Sequence, residues 1–479
     1  MKDYLKFYIN GQWVDPVTPK TLDVENPATE EPFARISLGS KADVDKAVVA
    51  ARAAFDKFSN TSVKERVDLL GSILAVYQKR KDEMAAAISE EMGCPLWLSK
   101  AAQTMLGEGH FRQAAESLKT YPFERMQGTT MIRKEPIGVC GFITPWNWPL
   151  NQIGCKVAPA IATGCTMILK PSEIAPINAY ILAEVLHEAG VPAGVFNLIN
   201  GDGPGVGQAL SAHPGIDMMS ITGSARAGIA VAKAAADTIK RVAQELGGKS
   251  PNIICDDVDL AKAIPAGVMP VMMNSGQSCN APTRMLVPEK LHDQALAIAK
   301  GVAENVKHGA PMTAAPGQMG PVVSKAQWDK IQRLIKAGID EGATLATGGL
   351  GRPDGFNRGY YVKPTIFGNV RNDMTIAREE IFGPVLSIIK YKDLEEAIRI
   401  ANDTEYGLAG YVQSGDHKKG QQIAKRIRAG HINVNGGGSD FNAPFGGYKH
   451  SGNGREWGVV GFEEFLEVKT ILGYEPKAA

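Results

Sequence analysis

The spacing of apolar residues predicts helices in the first quarter of the chain. Between residues 40 and 58, apolar side chains recur every three or four positions, which is the period of one helix face. Ser40 followed by Asp43 resembles a capping box, although Asp replaces the usual Glu or Gln. A second helical pattern runs from about Val63 toward Met92, and Gly93 is suited to end it. This part of the chain is therefore expected to be mainly helical.

From Gly138 the pattern changes to short apolar runs that alternate with amphipathic stretches. The runs GVCGFITPW, TMILKPS, GVFNLIN and IDMMSITG are typical of buried strands, and the stretches between them are typical of helices. Such alternation predicts a parallel sheet that helices cover on both faces and whose ligands bind at the carboxyl ends of the strands. A second alternating region runs from about Pro251 to Phe445.

Two further strand-like stretches lie outside both alternating regions. They are MIRKEPIG, which follows the first helical block, and EEFLEVKTIL, near the C-terminus. We interpret both as candidate sheet edges that pair with another subunit.

Length, charge and composition narrow the class of protein. A chain of 479 residues is too long for one compact core, so two or three domains are expected. The net charge of +1, without a long basic block, argues against nucleic-acid or anionic-membrane partners. No apolar run is long enough to span a bilayer, and the first residues lack the apolar stretch of a signal peptide. The sequence therefore predicts a cytoplasmic protein.

The six cysteines are far apart, without a CxxC pair or a neighbouring Cys/His cluster. This spacing argues against a disulfide framework and against a zinc site, so no metal is expected. Cys140, Cys165 and Cys255 lie in apolar runs and fit small buried core residues.

Two glycine-rich segments are candidates for binding a nucleotide phosphate. GDGPGVGQAL, from Gly201 to Leu210, does not fit GxGxxG, and ITGSARAG is not followed by the GK[ST] of a Walker loop. Gly223 nevertheless lies between a predicted strand and helix, with Ser224 at the helix start, where exposed backbone N–H groups attract anions. Either segment alone is equally compatible with a tight turn between a strand and a helix.

Read together, the segments form an ordered set of seven motifs. They are PWNWPL (145–150), KPSE (170–173), ITGS (221–224), ELGGKSP (245–251), GQSC (276–279), EEIFGPV (379–385) and PFGGYKHSG (444–452). In this order and over essentially the whole chain, the sequence resembles the aldehyde dehydrogenase superfamily, in its NAD(P)-dependent, carboxylate-forming branch.

The resemblance implies an α/β fold with three parts. They are an atypical Rossmann-type NAD-binding domain (residues 1–120 and 140–247), a second α/β catalytic domain (248–445), and a β-strand oligomerisation arm (121–139 and 446–479). The arm implies a homodimer or homotetramer, between which the sequence does not decide. The resemblance also implies that the glycine-rich segments form a dinucleotide site without a GxGxxG turn.

The resemblance implies a reaction in which an aldehyde is oxidised to a carboxylic acid. Cys279, in a polar and glycine-flanked setting unlike the other cysteines, is the implied nucleophile of a thiohemiacetal and then a thioester. The Asn147 amide and the Cys279 backbone N–H are the implied donors to the oxyanion. Glu245 is the implied base for hydrolytic water, because burial can raise a carboxylate pKa toward neutrality. Lys156 joins this catalytic set.

Each assignment has a plainer alternative. Cys279 can be an inert buried cysteine, Asn147 a turn-forming residue between two bulky neighbours, and Glu245 a surface carboxylate at a strand end. The seven motifs taken together favour the catalytic interpretation.

By the same resemblance, NAD is the expected cofactor, with NADP possible. The residues implied to bind it are Ile143, Thr144, Pro145, Trp146, Lys170, Ser172, Glu173, Gly203, Gly207, Thr222, Gly223, Ser224, Leu246, Gly247, Glu380 and Phe382. Lys170 and Glu173 are placed at the adenosine ribose, although they can also be a solvated charge pair at a strand end. A carboxylate there repels a 2′-phosphate and favours NAD, which Lys170 can partly offset.

The implied aldehyde tunnel departs from common family patterns. If the stretch after Asn147 is helical, four of its residues share one face, where many relatives carry larger apolar residues. Opposite lie Gly436 to Ser439, where bulky side chains often narrow the tunnel. The residues implied to bind substrate are Trp148, Asn151, Gln152, Cys155, Ser278, Gly438 and Phe445. We expect a wide, partly polar tunnel suited to an aromatic or longer functionalised aldehyde. The alternative is that the glycines serve only loop conformation.

Two other functions remain open. One is a CoA-acylating aldehyde dehydrogenase, in which CoA takes the acyl group; those relatives typically lack the general-base glutamate, so Glu245 favours hydrolysis. The other is a structural homologue that has lost the reaction. The presence of Cys279, Glu245 and Asn147 together argues against it.

Overall fold

The structure is a computed structural model that describes residues 1–475. Its strands are β1 (Lys2–Tyr4), β2 (Phe7–Ile9), β3 (Gln12–Val14), β4 (Thr21–Asn26), β5 (Glu31–Ser37), β6 (Glu124–Gln127), β7 (Thr130–Pro136), β8 (Val139–Ile143), β9 (Thr166–Lys170), β10 (Phe196–Leu198), β11 (Met218–Thr222), β12 (Arg241–Glu245), β13 (Pro251–Ile254), β14 (Arg284–Pro288), β15 (Thr344–Thr347), β16 (Thr365–Val370), β17 (Val385–Tyr391), β18 (Ala409–Gln413), β19 (His431–Val434), β20 (Gly452–Asn453) and β21 (Leu466–Ile471).

The helices alternate with these strands over most of the chain. They are α1 (Lys41–Ser59), α2 (Val63–Met92), α3 (Leu96–Leu98), α4 (Thr104–Thr120), α5 (Pro149–Thr163), α6 (Ile177–Glu188), α7 (Gln208–Ala212), α8 (Ala225–Ala236), α9 (Leu260–Met272), α10 (His292–Asn305), α11 (Lys325–Asp340), α12 (Thr375–Arg378), α13 (Leu394–Asn402), α14 (His417–Ala424) and α15 (Gly458–Glu463). Among residues 1–475, none of these helices is long and apolar enough to cross a membrane.

The two helices predicted from the first periodic stretches are α1 and α2. The backbone N–H of Ser40 donates to the Asp43 carboxylate at 2.8 Å, so the shorter acidic side chain still closes the helix start. Helix α2 ends at Gly93, whose φ of 82° is left-handed and suits glycine. Sequence periodicity and local capping therefore agree for both helices.

An eight-stranded sheet contains the first alternating region. Its order is β20-β12-β11-β8-β9-β10-β2-β3, and the five strands from β12 to β10 are parallel. Helices α1, α7 and α8 pack on one face, and α2, α4, α5 and α6 pack on the other. Because both faces are covered, the central strands are apolar along their whole length, as the sequence pattern predicts.

A seven-stranded sheet contains the second alternating region. Its order is β15-β16-β17-β14-β13-β18-β19, and all neighbouring pairs are parallel except β15 with β16. The two sheets are joined by the short segment 246–250 between β12 and β13. The carboxyl ends of the first sheet therefore lie next to the amino ends of the second.

The two isolated strand-like stretches pair with each other. In a three-stranded sheet of order β21-β7-β6, strand β7 lies in the middle and is paired on both sides. The interpretation of MIRKEPIG as a sheet edge is therefore wrong, because the hairpin strand β6 and the C-terminal β21 use both of its sides. Within the described residues, β21 and β6 form the edges; residues 476–479 of the predicted arm lie outside the described residues.

Candidate active site

Cys279 follows a strained turn at the end of α9. Three consecutive residues, Asn274, Ser275 and Gly276, have left-handed φ angles of 53°, 56° and 74°. Left-handed backbone is costly for residues other than glycine and persists only where neighbouring structure holds it. A Cβ atom at Gly276 would overlap the backbone of Gly383, so this position requires glycine. The turn thus anchors the GQSC loop against the FGP loop and fixes the position of Cys279.

Asn147 is held beside this loop by hydrogen bonds on its side chain and its backbone. Its Nδ2 donates to the Gln277 carbonyl at 3.0 Å. Its own carbonyl accepts from Asn274 Nδ2 at 3.0 Å and from Gln103 Nε2 at 3.1 Å. An amide nitrogen carries two N–H groups, so one remains for a ligand. Asn147 and Cys279 line the same cavity.

The Cys279 thiol lies at the junction of two cavities and retains partial exposure. Burial raises its pKa above the ordinary value, and the carboxylates of Glu380 and Glu245 raise it further. The neutral thiol is therefore the resting form, and nucleophilic attack requires a group that removes its proton.

Glu245 ends β12 as a buried carboxyl group. Neither of its oxygens has a hydrogen-bond partner among the described residues. Burial raises its pKa well above the ordinary value, and the Glu456 carboxylate adds to that rise. A Cβ atom at Gly446 would lie 2.5 Å from Glu245 Oε1, so the glycine of the PFGG motif leaves room for this carboxyl group. A buried, unpartnered carboxylate with a raised pKa is suited to accept a proton.

Lys156 is fully buried in α5, and its positive charge lowers the pKa of Glu245 more than that of Arg455 does. Its Nζ donates to Thr222 Oγ1 at 2.7 Å and forms an ion pair with Glu456. Burial lowers the pKa of Lys156, but Glu456 together with Cys155 and Glu245 raises it overall. The positive charge of Lys156 lowers the pKa of Glu245, opposing the effect of Glu456. Lys156 thus sets the electrostatic environment of Glu245.

One cavity of about 670 Å³ opens on one side of Cys279. Nine residues predicted to bind the cofactor line it: Pro145, Trp146, Thr222, Gly223, Ser224, Leu246, Gly247, Glu380 and Phe382. Glu380 accepts from the backbone N–H of Gly248 at 2.8 Å, which fixes the carboxylate at the cavity wall. Gln327 and Lys330 also line the cavity and were not anticipated, because α11 carries none of the seven motifs.

The other predicted cofactor residues do not line this cavity but continue from it along the ends of β8 and β9. They are Ile143, Thr144, Lys170, Ser172, Glu173, Gly203 and Gly207. Ile143 pairs with Lys170 between the two strands. A Cβ atom at Gly207 would lie 3.7 Å from Ile143 Cδ1 and 3.9 Å from Lys170 Cδ, so the GPGVG turn packs against both. A Cβ atom at Gly203 would have no atom within 4 Å.

Three features of the predicted cofactor residues fit a nucleotide. The Thr144 hydroxyl is buried and has no hydrogen-bond partner among the described residues. Gly223 leaves the backbone open at the start of α8, since the nearest atom to its Cβ position is 3.9 Å away on Ala227. Exposed N–H groups at a helix start suit a phosphate, and the Trp146 and Phe382 rings, 5.4 Å apart, suit a planar ring.

A second cavity of about 1010 Å³ opens on the other side of Cys279. Five residues predicted to bind substrate line it: Trp148, Asn151, Gln152, Ser278 and Phe445. Trp148 Nε1 donates to Ser278 Oγ at 2.9 Å, and this bond fixes the indole as a wall. The cavity is also lined by Met105, Met273, Tyr411 and Trp457, which were not predicted from the sequence. The Trp457 ring stacks on Phe445 with ring centroids 4.9 Å apart.

Two predicted substrate residues lie outside the described lining of this cavity. Cys155 is buried, and its thiol donates to Glu456 Oε2 at 3.1 Å. The thiol therefore points toward the Lys156–Glu456 ion pair and does not line the substrate cavity. Gly438 is exposed, without any atom within 4 Å of its Cβ position, and Ser439 lines the cavity instead. Only Gly436 of the three glycines has a left-handed φ, 76°.

The chain is similar to known proteins over nearly its whole length. The model of the Aldehyde dehydrogenase family matches residues 13–471. The chain is 56% identical over 476 residues to a 3-succinoylsemialdehyde-pyridine dehydrogenase of Pseudomonas sp, covering 99% of this chain and 100% of the relative. It is 52% identical over 474 residues to a putative aldehyde dehydrogenase of Staphylococcus aureus, covering 99% and 100%.

Solved structures match the fold. A variant of aldehyde dehydrogenase C from Pseudomonas syringae, in complex with NAD+ and octanal, has a TM-score of 0.97 and 52% identity, covering 99% of this chain and 98% of the other. An aldehyde dehydrogenase of Mycobacterium tuberculosis, in complex with NAD+, has a TM-score of 0.95 and 41% identity, covering 98% of both chains. The predicted fold class is confirmed.

The electrostatic effect on the Cys279 pKa can be tested by measuring the rate of thiol alkylation as a function of pH. Glu380→Gln and Glu245→Gln each remove a negative charge that raises the thiol pKa. The thiolate therefore forms at lower pH, and the profile should move down by a few tenths of a unit to about one unit. The rate of iodoacetamide modification of the Cys279 peptide, followed by mass spectrometry, measures it. Glu304→Gln, on the exposed side of α10, is the control. A profile that stays in place or moves upward would contradict this electrostatic account.

Proposed function

Because the chain belongs to the aldehyde dehydrogenase family, we propose that it oxidises an aldehyde to a carboxylic acid with NAD+, through a thioester on Cys279 that water hydrolyses. The observation that carries the proposal is the place of Cys279, where two cavities meet. Predicted cofactor residues line one cavity and predicted substrate residues line the other. When bound, NAD+ supplies the hydride acceptor. A nucleophile open to both sides can hold the carbonyl carbon within reach of that acceptor.

Bond formation to Cys279 begins with loss of its proton. Burial raises the thiol pKa, and because Cys279 retains partial exposure, its proton can pass to solvent water. The sulfur then bonds to the aldehyde carbon, and the carbonyl oxygen becomes an oxyanion. The free N–H of Asn147 and the backbone N–H of Cys279 stabilise that oxyanion. The loss of one such donor typically costs about 3–4 kcal/mol of transition-state stabilisation.

Hydrolysis is the step that uses Glu245. After hydride loss the carbon is held as a thioester; Glu245 takes a proton from water, the water oxygen bonds to the acyl carbon, and the C–S bond breaks. The products are a carboxylic acid and the Cys279 thiolate. Among the described residues neither Glu245 oxygen has a hydrogen-bond partner, which supports this role because a lone pair stays available. The same feature favours water over CoA as the acyl acceptor, and it favours an active enzyme over a silent homologue.

The predicted domains and arm fit this function. We assign the cofactor to residues 1–120 and 140–247, catalysis to 248–445, and oligomer contacts to 121–139 and 446–479, with β20 joining the eight-stranded sheet through β12. A homodimer or homotetramer is supported by the outer strand β21, on which the Val468 side chain is largely exposed.

We infer a preference for NAD over NADP from the hydrogen bonds of Lys170. Its buried Nζ donates to the carbonyls of Pro171 at 2.8 Å and Gly201 at 2.6 Å, and to Glu173 at 3.0 Å. These bonds use all three N–H groups of the ammonium. Lys170 is therefore engaged within the protein, and the half-exposed Glu173 carboxylate is left to repel a 2′-phosphate.

We propose an aromatic or longer functionalised aldehyde as substrate. The cavity of about 1010 Å³ is lined by the aromatic side chains of Trp148, Tyr411, Phe445 and Trp457, with the amides of Asn151 and Gln152 beside them. Two relatives support this choice: one is named for a succinoylsemialdehyde carried on pyridine, and another was solved with octanal. A short aldehyde leaves most of this volume unfilled.

Cys279→Ala should abolish NADH formation with any aldehyde, because a methyl group cannot attack the carbonyl carbon. NAD+ binding, measured by calorimetry, should stay within a few-fold of wild type. Cys255→Ala is the matched control, since Cys255 follows the carboxyl end of β13, whereas the GQSC loop leads into the amino end of the neighbouring strand β14. Substantial turnover by Cys279→Ala would reject the mechanism.

Glu173→Gln removes the proposed repulsion toward a 2′-phosphate while it keeps the side-chain shape. The ratio of kcat/KM for NADP+ to that for NAD+ should rise by about tenfold, the effect of roughly 1.4 kcal/mol. Initial rates with one aldehyde and both cofactors measure the ratio. Glu188→Gln, at the exposed end of α6, is the control. A wild-type enzyme that already prefers NADP+ would contradict the assignment.

The substrate preference is tested with a panel of aldehydes at identical conditions. Benzaldehyde and hexanal should have higher kcat/KM than acetaldehyde, because each further buried methylene group contributes about 0.8 kcal/mol of contact energy. Equal specificity constants, or a preference for acetaldehyde, would reject the aromatic or long-chain preference and leave the family assignment intact.

A further inference from the structure

A third cavity, apolar and of about 750 Å³, lies next to the substrate cavity. We call it the methionine groove; it lies between α9, the segment 95–98 and the segment 317–320, and Met269, Met272, Met273 and Met319 line it. Pro270 and Met273 line both this groove and the substrate cavity. Nothing in the proposed mechanism uses the groove, so its role is a separate question.

We propose that the methionine groove binds the distal, uncharged part of a long aldehyde whose carbonyl carbon is held at Cys279. The inference rests on the proposed function and deepens it, since it names alkyl or aryl tails as the substrate class that gains most. Because the carbonyl end is held at Cys279, a tail longer than the substrate cavity must extend beyond the residues that line that cavity. Pro270 and Met273 form the wall shared with the groove, which gives such a tail an apolar path.

The lining of the groove favours an apolar occupant. Among the described residues that line it, none carries a charge. Trp97 presents its ring there and is fixed by a hydrogen bond from Nε1 to the Gln318 carbonyl at 3.3 Å. Met side chains are flexible and polarisable, so they adapt to alkyl chains and contact aromatic rings favourably. A charged tail would lose its hydration at this wall without gaining a partner.

The groove also leaves apolar surface open that a bound tail would cover. The Met269 and Met273 side chains are 42% and 45% exposed although both lie on or next to α9 beside the catalytic loop. Covering such surface removes it from water, which is favourable in proportion to the area. Because the groove shares Pro270 and Met273 with the substrate cavity, the substrate's own tail is favoured over an unrelated ligand or a second protein.

The experiment uses a series of alkanals from acetaldehyde to decanal with the full-length enzyme. For wild type, kcat/KM should rise by roughly two- to fourfold per methylene group as the tail becomes buried. Ala266→Phe places a ring in the groove from the exposed face of α9. Met269→Glu places a charge there. Both variants should keep kcat/KM for acetaldehyde and butanal within about twofold of wild type. Both should lower kcat/KM for decanal by about tenfold, mainly by raising KM.

Ala261→Phe is the matched control, because Ala261 is exposed on α9 but does not line the groove. It should follow the wild-type series throughout. Normal rates with short aldehydes also show that each variant is folded. Identical chain-length dependence in wild type and both groove variants would overturn the proposal. A changed oligomeric mass of Ala266→Phe by light scattering, with an unchanged series, would overturn it in favour of a protein contact.

The proposed function fails in a different way. If wild type forms no NADH with any member of the series, the aldehyde-oxidising activity itself is rejected. If wild type is active and both groove variants have the wild-type kcat/KM at every chain length, the activity stands and the methionine groove has no part in substrate binding.

Discussion

The site depends on one costly arrangement, the buried carboxyl group of Glu245, which has no hydrogen-bond partner among the described residues. Taking a carboxylate out of water costs several kcal/mol, and such groups usually respond by holding a proton. At Glu245 the cost is moderated rather than removed: Lys156 supplies a positive charge nearby, and Glu456 offsets part of it. The carboxyl group thus stays free to exchange a proton. A direct ion pair with Lys156 would have stabilised it and left it unsuited to that exchange.

Close backbone contacts fix the surroundings of the Glu245 carboxyl group and of the loop that carries Cys279. Gly446 leaves room for the Glu245 oxygen, and Gly276 packs directly on the backbone of Gly383. Two non-glycine residues, Asn274 and Ser275, accept left-handed conformations, and Ser275 Oγ donates to the Gly320 carbonyl at 2.8 Å to hold the turn. Strain of this kind persists only in a rigid surrounding. The two sheets that meet at the segment 246–250 provide it.

Much of this organisation could be predicted from the sequence because it follows from local patterns. Apolar periodicity indicated α1, α2 and the parallel strands, and the seven motifs brought Cys279, Asn147 and most of the first cavity together. Residues that reach the site only through long-range folding were not predicted. Lys330 lies on an ordinary amphipathic helix, and Met273 and Trp457 owe their positions to packing between distant segments. Cys155 shares the predicted helix face, yet a partner 301 positions along the chain, Glu456, determines where its thiol points.

The central claim is that the acyl group is carried on Cys279 and released by Glu245. Glu245→Gln enzyme is mixed with NAD+ and hexanal, quenched in acid, digested and analysed by mass spectrometry. We expect the Cys279 peptide to gain the mass of hexanal less two hydrogen atoms, the signature of a thioester, and we expect no such gain without NAD+. Steady formation of NADH with no such mass on Cys279, or the mass on another residue, would contradict it.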